Sequence, residues 1–438
     1  MINALIPVTS LLMSNALLLL GHGLLLTLLP IAANSFGFSD TQIALTGSAY
    51  FLGFVSGCLT TPFMLRRVGH IRSFAVLATS YTVVILIFPL LHEFYAWMIL
   101  RFLIGVVISG LYMIIESWLN GNATPQNRGT ILSIYTTLNL IMVMCGQQLF
   151  NLGNVQGTML FSLAAILISI AIIPISLTRH AAPVMVQQVK LNMYKVWKHS
   201  HIALIGAVVA GLVTGAFWSL APIYAKANDF NNIQVGLFLS STVLGGACFQ
   251  LPLGKISDKL DRRSVLMYSA LIGSLVSLTF FYLPQFISSF AGWPAFISAF
   301  FWGGTCMTLY AICLAHANDN ATSEDFVEIS SAMLITLGLS SSIGAPLASL
   351  SMSELEANGL YAFTGSCLII FFIIVLFRRR SHIPPSILEE KEEFRTVTDM
   401  AGPTAYEMDP RTEIELEDSV SGEVTTALEN GTENKTIK

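Results

Sequence analysis

Apolar residues fill twelve long stretches of this chain, and short polar segments separate these stretches from one another. An α-helix needs about 20 mostly apolar residues to cross the hydrocarbon core of a bilayer, and each stretch is long enough. The pattern therefore predicts an all-α membrane protein with twelve transmembrane helices. The predicted spans are residues 8–33, 41–65, 73–91, 95–118, 129–150, 157–178, 201–226, 233–256, 265–288, 293–317, 327–350 and 357–377.

The first two spans recur later in the chain at a constant offset of 192 positions. The recurring residues are glycines, a proline, a phenylalanine and a glutamine. They are Gly23, Pro30, Phe38, Gln42 and Gly53 in the first copy and Gly215, Pro222, Phe230, Gln234 and Gly245 in the second. This repeat predicts two six-helix halves built on one plan, as in many secondary transporters. Residues 1–178 and 201–380 then form the halves, and 179–200 is a cytoplasmic linker.

Two polar pairs mark the starts of the second and eighth spans. Ser39 stands three residues before Gln42, and Asn231 stands three residues before Gln234. This spacing predicts a capping box, in which each side chain bonds the backbone N–H of the other residue.

The composition agrees with a membrane location. Hydrophobic residues make up 54% of the chain, charged residues 11%, and the mean hydropathy is +0.69, whereas soluble domains carry about 25% charged residues. The acidic groups collect at the C-terminus, where residues 381–438 hold 14 Asp and Glu against 5 Lys and Arg. This segment has no apolar face that could pack, which predicts a disordered cytoplasmic tail.

Lys and Arg residues collect on one set of loops, and this asymmetry predicts the orientation of the chain. The loops lie at 66–72, 128, 179–198, 259–263 and 378–380. Because the number of spans is even, we expect both termini in the cytoplasm and the chain in a bacterial inner membrane as a multi-pass protein.

The second basic loop combines a glycine, a carboxylate and three cations. These residues are Gly254, Asp258, Lys259, Arg262 and Arg263. A carboxylate and cations at helix ends can form charge-assisted hydrogen bonds that lock neighbouring helices together. The pattern therefore predicts a cytoplasmic gate, although the cations alone are also what the positive-inside rule requires.

This loop resembles the signature of the major facilitator superfamily, which reads roughly Gly-x3-Asp-[Arg/Lys]-x-Gly-x-[Arg/Lys]-[Arg/Lys]. The second copy matches it at Gly254, Asp258, Lys259, Arg262 and Arg263, with Asp261 in place of the later glycine. The first copy matches at Arg67, Gly69 and Arg72, but Arg66 stands where the family has aspartate. The resemblance covers about residues 5–378 and implies a two-half transporter fold.

A narrower resemblance is to the YcaD-like branch of bacterial facilitators. It rests on four short motifs, namely Tyr50-Phe51-x-Gly53, Arg67-x-Gly69, Glu116-Ser117 and Asn127-Arg128-Gly129.

The fourth span carries Arg101, Tyr112 and Glu116 on one face, because they lie within about 60° of one another on a helix. A guanidinium so deep in the membrane usually faces a partner or a wet cavity; otherwise Arg101 extends outward to water. The Arg101-Phe102-x-x-Gly105 pattern resembles a family motif that implies proton coupling. Glu116 either pairs with Arg128 or replaces the gate carboxylate that Arg66 displaces.

His22 lies near the middle of the first span, and Asn15 lies two turns earlier on the same face. Because histidine titrates near neutral pH, a hydrated His22 could couple transport to protons. Alternatively, it is a neutral residue hydrogen-bonded between packed helices.

The resemblance implies that the first, fourth, seventh and tenth helices line the central path. Three aromatic residues of these helices, Trp218, Trp302 and Tyr310, could then stack on an organic substrate. For any single one of them, packing between helices is the other interpretation.

Taken together, these features predict a secondary transporter of a small organic solute that works by alternating access and is coupled to protons. A facilitative uniporter or a solute-sensing, transporter-like receptor is the alternative. The sequence contains no GxxxxGK[ST] loop or hydrolase motif, so we expect no enzyme activity. We also expect no cofactor, no metal site, no nucleic-acid partner, and a monomer in the lipid bilayer.

Overall fold

The computed structural model of the chain describes residues 8–123, 127–177, 196–198, 200–286, 291–319, 323–381 and 404–405. Most of the predicted linker and tail lie outside these residues. The main helices are α1 (Thr9–Ser35), α2 (Asp40–Val68), α3 (His70–Ile87), α4 (Phe94–Gly121), α5 (Arg128–Leu149), α6 (Met159–Ile170), α7 (Ile172–Ser176), α8 (His201–Ala227), α9 (Asn232–Lys259), α10 (Arg262–Phe286), α11 (Trp293–Cys306), α12 (Leu309–Asn318), α13 (Ser323–Leu355) and α14 (Gly359–Ser381).

Eleven stretches of the described residues are long and apolar enough to cross a membrane. The last of them, Asp325–Arg378, has 54 residues and contains both α13 and α14. A 3-10 turn at Glu356–Asn358 separates these two helices. The all-helical architecture agrees with the prediction.

The starts of α2 and α9 confirm the two predicted capping boxes. In α2 the Gln42 backbone donates to Ser39 Oγ at 3.3 Å, and the Ser39 backbone donates to Gln42 Oε1 at 3.0 Å. In α9 the Asn231 and Gln234 bonds are 2.8 and 2.9 Å long.

The turns that precede these caps are also alike. Gly37 and Asp229 both adopt left-handed backbone angles, with φ of 85° and 62°. The next residue in each turn, Phe38 or Phe230, donates its backbone N–H to a carbonyl five residues earlier, at 3.1 and 3.0 Å. Aspartate is one of the few residues that tolerate this left-handed conformation, which glycine adopts without steric cost.

Four helix pairs cross through matching glycine contacts. In each pair a glycine on either helix lies so close to the partner's backbone that an added Cβ would overlap it, as is typical of closely packed membrane helices. The contacts are Gly53–Phe102 and Gly105–Tyr50 in α2–α4, Gly245–Phe300 and Gly303–Thr242 in α9–α11, Gly23–Val143 and Gly146–Leu20 in α1–α5, and Gly215–Ser341 and Gly344–Leu212 in α8–α13. Two crossings are therefore each built twice: the α2–α4 crossing recurs in α9–α11, and the α1–α5 crossing recurs in α8–α13.

Two predicted continuous spans are interrupted. The predicted sixth span divides into α6 and α7 at Ala171, because Pro174 cannot donate to the carbonyl of Ile170 and its ring crowds that carbonyl. The predicted tenth span divides into α11 and α12 after Cys306. There the Thr308 hydroxyl donates to the Gly304 carbonyl at 2.8 Å, and such back-bonding often bends helices.

The two halves meet near the end of the bundle where α1 turns into α2. The Gln148 side chain on α5 donates to Ser240 Oγ on α9 at 2.8 Å. Gly47 on α2 lies against the side chain of Ser219 on α8. We call the end of the bundle that carries Arg66, Arg67 and Arg262 the basic end. The end where α1 turns into α2 is the opposite end.

Candidate functional site

A cavity lies between the two halves, toward the middle of the bundle. It has about 650 Å³ of empty space, part of which is open to its surroundings. Its lining is mainly aromatic and aliphatic, with a few hydroxyls and one charged side chain. The lining residues are Leu26, Tyr50, Phe51, Phe54, Arg101, Tyr112, Thr214, Trp218, Ser219, Leu334, Leu337, Gly338 and Ser341.

Arg101 on α4 supplies the single charge of this lining. Its side chain is 5% exposed, and the guanidinium carbon lies 5.4 Å from the centre of the Tyr50 ring. Its buried Nε has no hydrogen-bond partner, and among the described residues no carboxylate forms an ion pair with it. An arginine at this depth costs about 2.5–3.5 kcal/mol on insertion scales. The tyrosine ring offsets only part of this cost.

His22 on α1 lies between two tyrosines next to this cavity. Its Nδ1 is 2.6 Å from the Tyr81 hydroxyl, and its Nε2 is 3.4 Å from the Tyr50 hydroxyl. Because Tyr50 also contacts Arg101 and lines the cavity, His22 is connected to the cavity through one side chain.

Three other predicted path residues are buried away from the cavity lining. The Asn15 amide donates to Asn139 at 2.6 Å and so joins α1 to α5. The Trp302 indole donates to Ser277 Oγ at 3.0 Å and stacks on Phe217, which places it between helices of the second half. Tyr310 is 1% exposed on α12. In contrast, Tyr112 and Trp218 line the cavity with Arg101.

The predicted second gate contains a cluster of ion pairs around Arg262. The Arg262 guanidinium is 1% exposed, with Nε 2.8 Å from Asp319 Oδ1 and Nη2 3.2 Å from Asp258 Oδ1. It also donates to Ser257 Oγ at 3.1 Å, and His316 Nδ1 lies 3.3 Å from the other Asp319 oxygen. These contacts join α9, α10 and the end of α12. Gly254 is buried beside them, and Lys259 is exposed.

Asp319 is a member of this cluster that sequence reasoning missed. The residue lies in an acidic loop at the basic end, and that loop departs from the basic pattern of its neighbours. The acidic loop with Asp319, Glu324 and Asp325 among basic loops was the available signal.

The corresponding region of the first half has no such charge cluster among its described side chains. Arg66, Arg67 and Arg72 are exposed, and Gly69 makes the turn between α2 and α3 with φ of 80°. His70, 192 positions before Arg262, is buried and lies 3.1 Å from Ser117 Oγ on α4. A hydrogen bond therefore occupies the place of the second half's ion pair.

Glu116 is fully buried on α4, one turn beyond Tyr112 toward the basic end. Its Oε1 accepts a hydrogen bond from the Tyr135 hydroxyl at 3.1 Å. Its Oε2 accepts from the Thr404 hydroxyl at 3.0 Å and from the Ala405 backbone N–H at 3.1 Å. Thr404 and Ala405 thus contact the helical bundle at this residue. Arg128, the other first-half gate candidate, is largely buried at the start of α5.

The sequence model of the Major Facilitator Superfamily matches residues 11–199 and 203–416, which is most of the chain. The chain belongs to the Major Facilitator Superfamily. It is therefore a multi-pass membrane protein of a transporter family, and the predicted resemblance to the YcaD-like branch is confirmed by its relatives.

Two bacterial relatives illustrate this likeness. This facilitator is 25% identical to the MFS-type transporter YcaD of Escherichia fergusonii over 384 residues, which are 85% of this chain and 96% of the relative. It is 26% identical to the YcaD of Salmonella arizonae over 382 residues, covering 84% of this chain and 95% of the relative.

Solved structures share its fold at low sequence identity. A variant of the nucleoside transporter NupG superimposes with a TM-score of 0.73 at 13% identity, covering 84% of this chain and 99% of the other. A bacterial homologue of the human lysosomal transporter Spinster, in an inward-facing and occupied conformation, gives 0.68 at 12% identity, covering 86% and 98%.

Proposed function

We propose that this facilitator is a secondary active transporter that moves a small organic solute by alternating access. The observation that carries the proposal is the central cavity, whose lining comes from helices of both halves and includes a buried arginine. A solute held between two halves is exposed to one side or the other when the halves rock about it.

We propose twelve spans in two six-helix halves. The 54-residue last stretch supports this count, because about 80 Å of helix, at 1.5 Å per residue, exceeds twice the roughly 30 Å hydrocarbon core. The four matching glycine crossings and the paired turns at Gly37 and Asp229 support the duplication.

In this proposal the protein is a monomer in a bacterial inner membrane. Its basic end and both of its termini face the cytoplasm. The exposed cations Arg66, Arg67, Arg72 and Lys259 support the orientation, since Lys and Arg concentrate on cytoplasmic loops. The contacts around Arg262 and Glu116 would then open and close the inner side. In a background without the native cysteines, labelling of Lys259→Cys, an exposed position at the basic end, by an impermeant maleimide is expected only after the membrane is opened.

The transport assay is exchange across proteoliposomes. Vesicles that contain the purified protein are loaded with a mixture of bacterial metabolites, diluted, and analysed by mass spectrometry for solutes that leave only when protein is present. We expect at least one small organic solute to exchange saturably. Protein-independent loss of every solute, or loss that never saturates, would contradict the proposal.

We propose the proton as coupling ion and His22 as a participant. His22 is linked to the cavity through Tyr50, and the groups that face it are Tyr50, Tyr81 and Arg101. Replacement His22→Gln keeps hydrogen-bonding capacity but removes the titratable ring, so we expect the pH dependence of uptake to flatten. An unchanged pH profile in the variant would favour the facilitative uniporter.

A further inference from the structure

Arg101 is the feature of the cavity that the fold alone does not explain. The side chain is almost fully buried, its Nε has no partner, and no described carboxylate neutralises it. Its nearest titratable neighbours are Tyr50, Tyr81 and His22, none of which offers a permanent negative charge. A guanidinium in this state lacks the planar, two-oxygen acceptor that it binds best.

The second half contributes an unsatisfied hydroxyl to the same cavity. Ser219 Oγ on α8 is buried and has no hydrogen-bond partner among the described residues. The hydroxyls of Thr214 and Ser341 instead donate to carbonyls of their own helices, at 2.7 and 2.8 Å. One cation on α4 and one open hydroxyl on α8 therefore lie on different halves of the lining.

The rest of the lining is apolar and aromatic. Phe51, Phe54, Trp218, Leu334 and Leu337 offer no charge to a ligand. A second negative charge on a ligand would lose its hydration in this environment without gaining a counterion.

We propose that the substrate is a small organic monoanion, a monocarboxylate with an apolar or aromatic body, whose carboxylate binds Arg101 and whose second polar group reaches Ser219. This assignment rests on the proposed transport function and names its substrate class. A ligand that contacts both halves would also draw them together, which is the event that alternating access requires.

The test measures binding separately from flux. The probes are 4-hydroxyphenylacetate, 4-hydroxybenzoate and 5-hydroxypentanoate, the corresponding amides, and the dianions phthalate and succinate. Each is titrated against the thermal unfolding of the detergent-purified full chain, because a ligand of the folded state raises its apparent stability. We expect at least one monocarboxylate to stabilise the protein at a concentration roughly tenfold or more below its amide and the dianions.

Two variants locate the binding group. We expect Arg101→Gln to abolish the preference for the anion over the amide and Ser219→Ala to weaken binding by a smaller factor. Equal binding of anions and amides, or an anion preference that survives in Arg101→Gln, would overturn the assignment, as would the failure of all three monocarboxylates. If monocarboxylates bind through Arg101 but never cross the proteoliposome membrane, the assignment of the ligand class is retained. The proposal that the protein transports this ligand is then contradicted.

A separate observation concerns the C-terminal region. Thr404 and Ala405 are 1% and 4% exposed, and both bond the carboxylate of Glu116. The Thr404 hydroxyl also lies 3.2 Å from the Met113 carbonyl. Because Tyr112 lines the cavity and Glu116 is one helical turn further along α4, this contact lies directly beyond the cavity on the side of the basic end.

The contact surrounds a buried carboxyl group with hydrogen-bond donors. Glu116 is fully buried, and its two oxygens accept from one tyrosine hydroxyl, one threonine hydroxyl and one backbone N–H. A buried carboxylate is stable only when donors replace its water. Thr404 and Ala405 provide one hydrogen bond each to this carboxyl group.

We infer that the Thr404–Ala405 segment is an autoinhibitory plug, which holds α4 and α5 at the basic end and slows the release of substrate to that side. The inference rests on the proposed transport function, but peptide binding tests the plug without it. Thr404→Val removes the hydroxyl with little change in shape, and Ala405→Pro removes the N–H donor. A second Thr-Ala pair, Thr426–Ala427, gives the matched control Thr426→Val.

A synthetic peptide of residues 396–412 is added to protein that lacks residues 386–438, and its binding is measured by fluorescence anisotropy. We expect the wild-type peptide to bind about tenfold or more tightly than the Thr404→Val peptide, since a lost bond to a charged group is worth about that factor. In the full-length protein, we expect Thr404→Val and Ala405→Pro to raise the exchange rate severalfold and Thr426→Val to leave it unchanged.

Equal binding of the two peptides would overturn the inference, and so would exchange that falls when the tail is deleted. If the peptide binds through Thr404 but the protein exchanges no solute, the contact between Thr404 and Glu116 is supported and the transport proposal is contradicted.

Discussion

At the scale of residues, the chain places its chemistry in a few buried polar groups. Arg101 could be predicted from the sequence, because an arginine deep inside an apolar stretch is rare and costly. Its companions Ser219 and Tyr50 could not, since serine and tyrosine are common in membrane helices and only the folded chain brings α2, α4 and α8 together. The same limit applies to Trp302, whose bond to Ser277 depends on how α10 and α11 face each other.

Replacement of Arg101 by alanine is expected to abolish transport without preventing membrane insertion. Loss of a charge-assisted contact to a solute of about 1.5–3 kcal/mol lowers binding roughly 10- to 100-fold. The measurement is solute exchange in proteoliposomes, with the amount of inserted protein determined by immunoblot. Because no carboxylate among the described residues pairs with the buried guanidinium and its Nε has no hydrogen-bond partner, the variant should melt at or above the wild-type temperature. Unchanged exchange would remove Arg101 from the transport path.

At the scale of elements, matching contacts between helices stabilise each of the two halves, but the halves differ at the basic end. Capping boxes and the repeat of α1–α2 in α8–α9 could be predicted, because they depend on residues close together in sequence. The second carboxylate partner of Arg262 could not be predicted, because Asp319 lies 57 residues away and comes next to Arg262 only when α10 packs beside the end of α12.

Replacement Asp319→Asn tests the Arg262 cluster. The variant leaves a buried guanidinium with one carboxylate instead of two, which we expect to lower stability by about 1.5–3 kcal/mol. Thermal unfolding in detergent should show a lower melting temperature than the wild type. Glu354→Gln, an exposed change near the end of α13, is the control and should have no effect. Equal melting temperatures for the two variants would mean that the cluster contributes little.

The glycine crossings give a second test at this scale. A Cβ at Gly245 would overlap the backbone of Phe300, so α9 and α11 must separate, at a cost of about 1–3 kcal/mol. We expect Gly245→Ala to lower the yield of folded protein on size-exclusion chromatography. Gly157→Ala serves as control, because among the described residues an added Cβ would meet only the Asn154 carbonyl, at an ordinary contact distance of 3.5 Å.

At the scale of the whole molecule, the two halves enclose a cavity. The contacts between the halves at the opposite end cover this cavity on one side. The all-helical membrane fold could be predicted from hydropathy, because bilayer thickness fixes helix length. The contact of Thr404 and Ala405 with Glu116 could not be predicted from the sequence. An acidic segment with no apolar periodicity predicts disorder, and two hydrogen bonds to one buried carboxylate leave no pattern along the chain.

The central claim is that the two halves carry a solute through this cavity. The most direct measurement is the uptake of a solute, found by exchange, into proteoliposomes with an inward or outward proton gradient. We expect saturable accumulation above the external concentration in one direction of the gradient, and its loss in Arg101→Ala. Uptake that stops at equal concentrations under both gradients would contradict an active, proton-coupled mechanism, and uptake that never saturates would contradict a carrier.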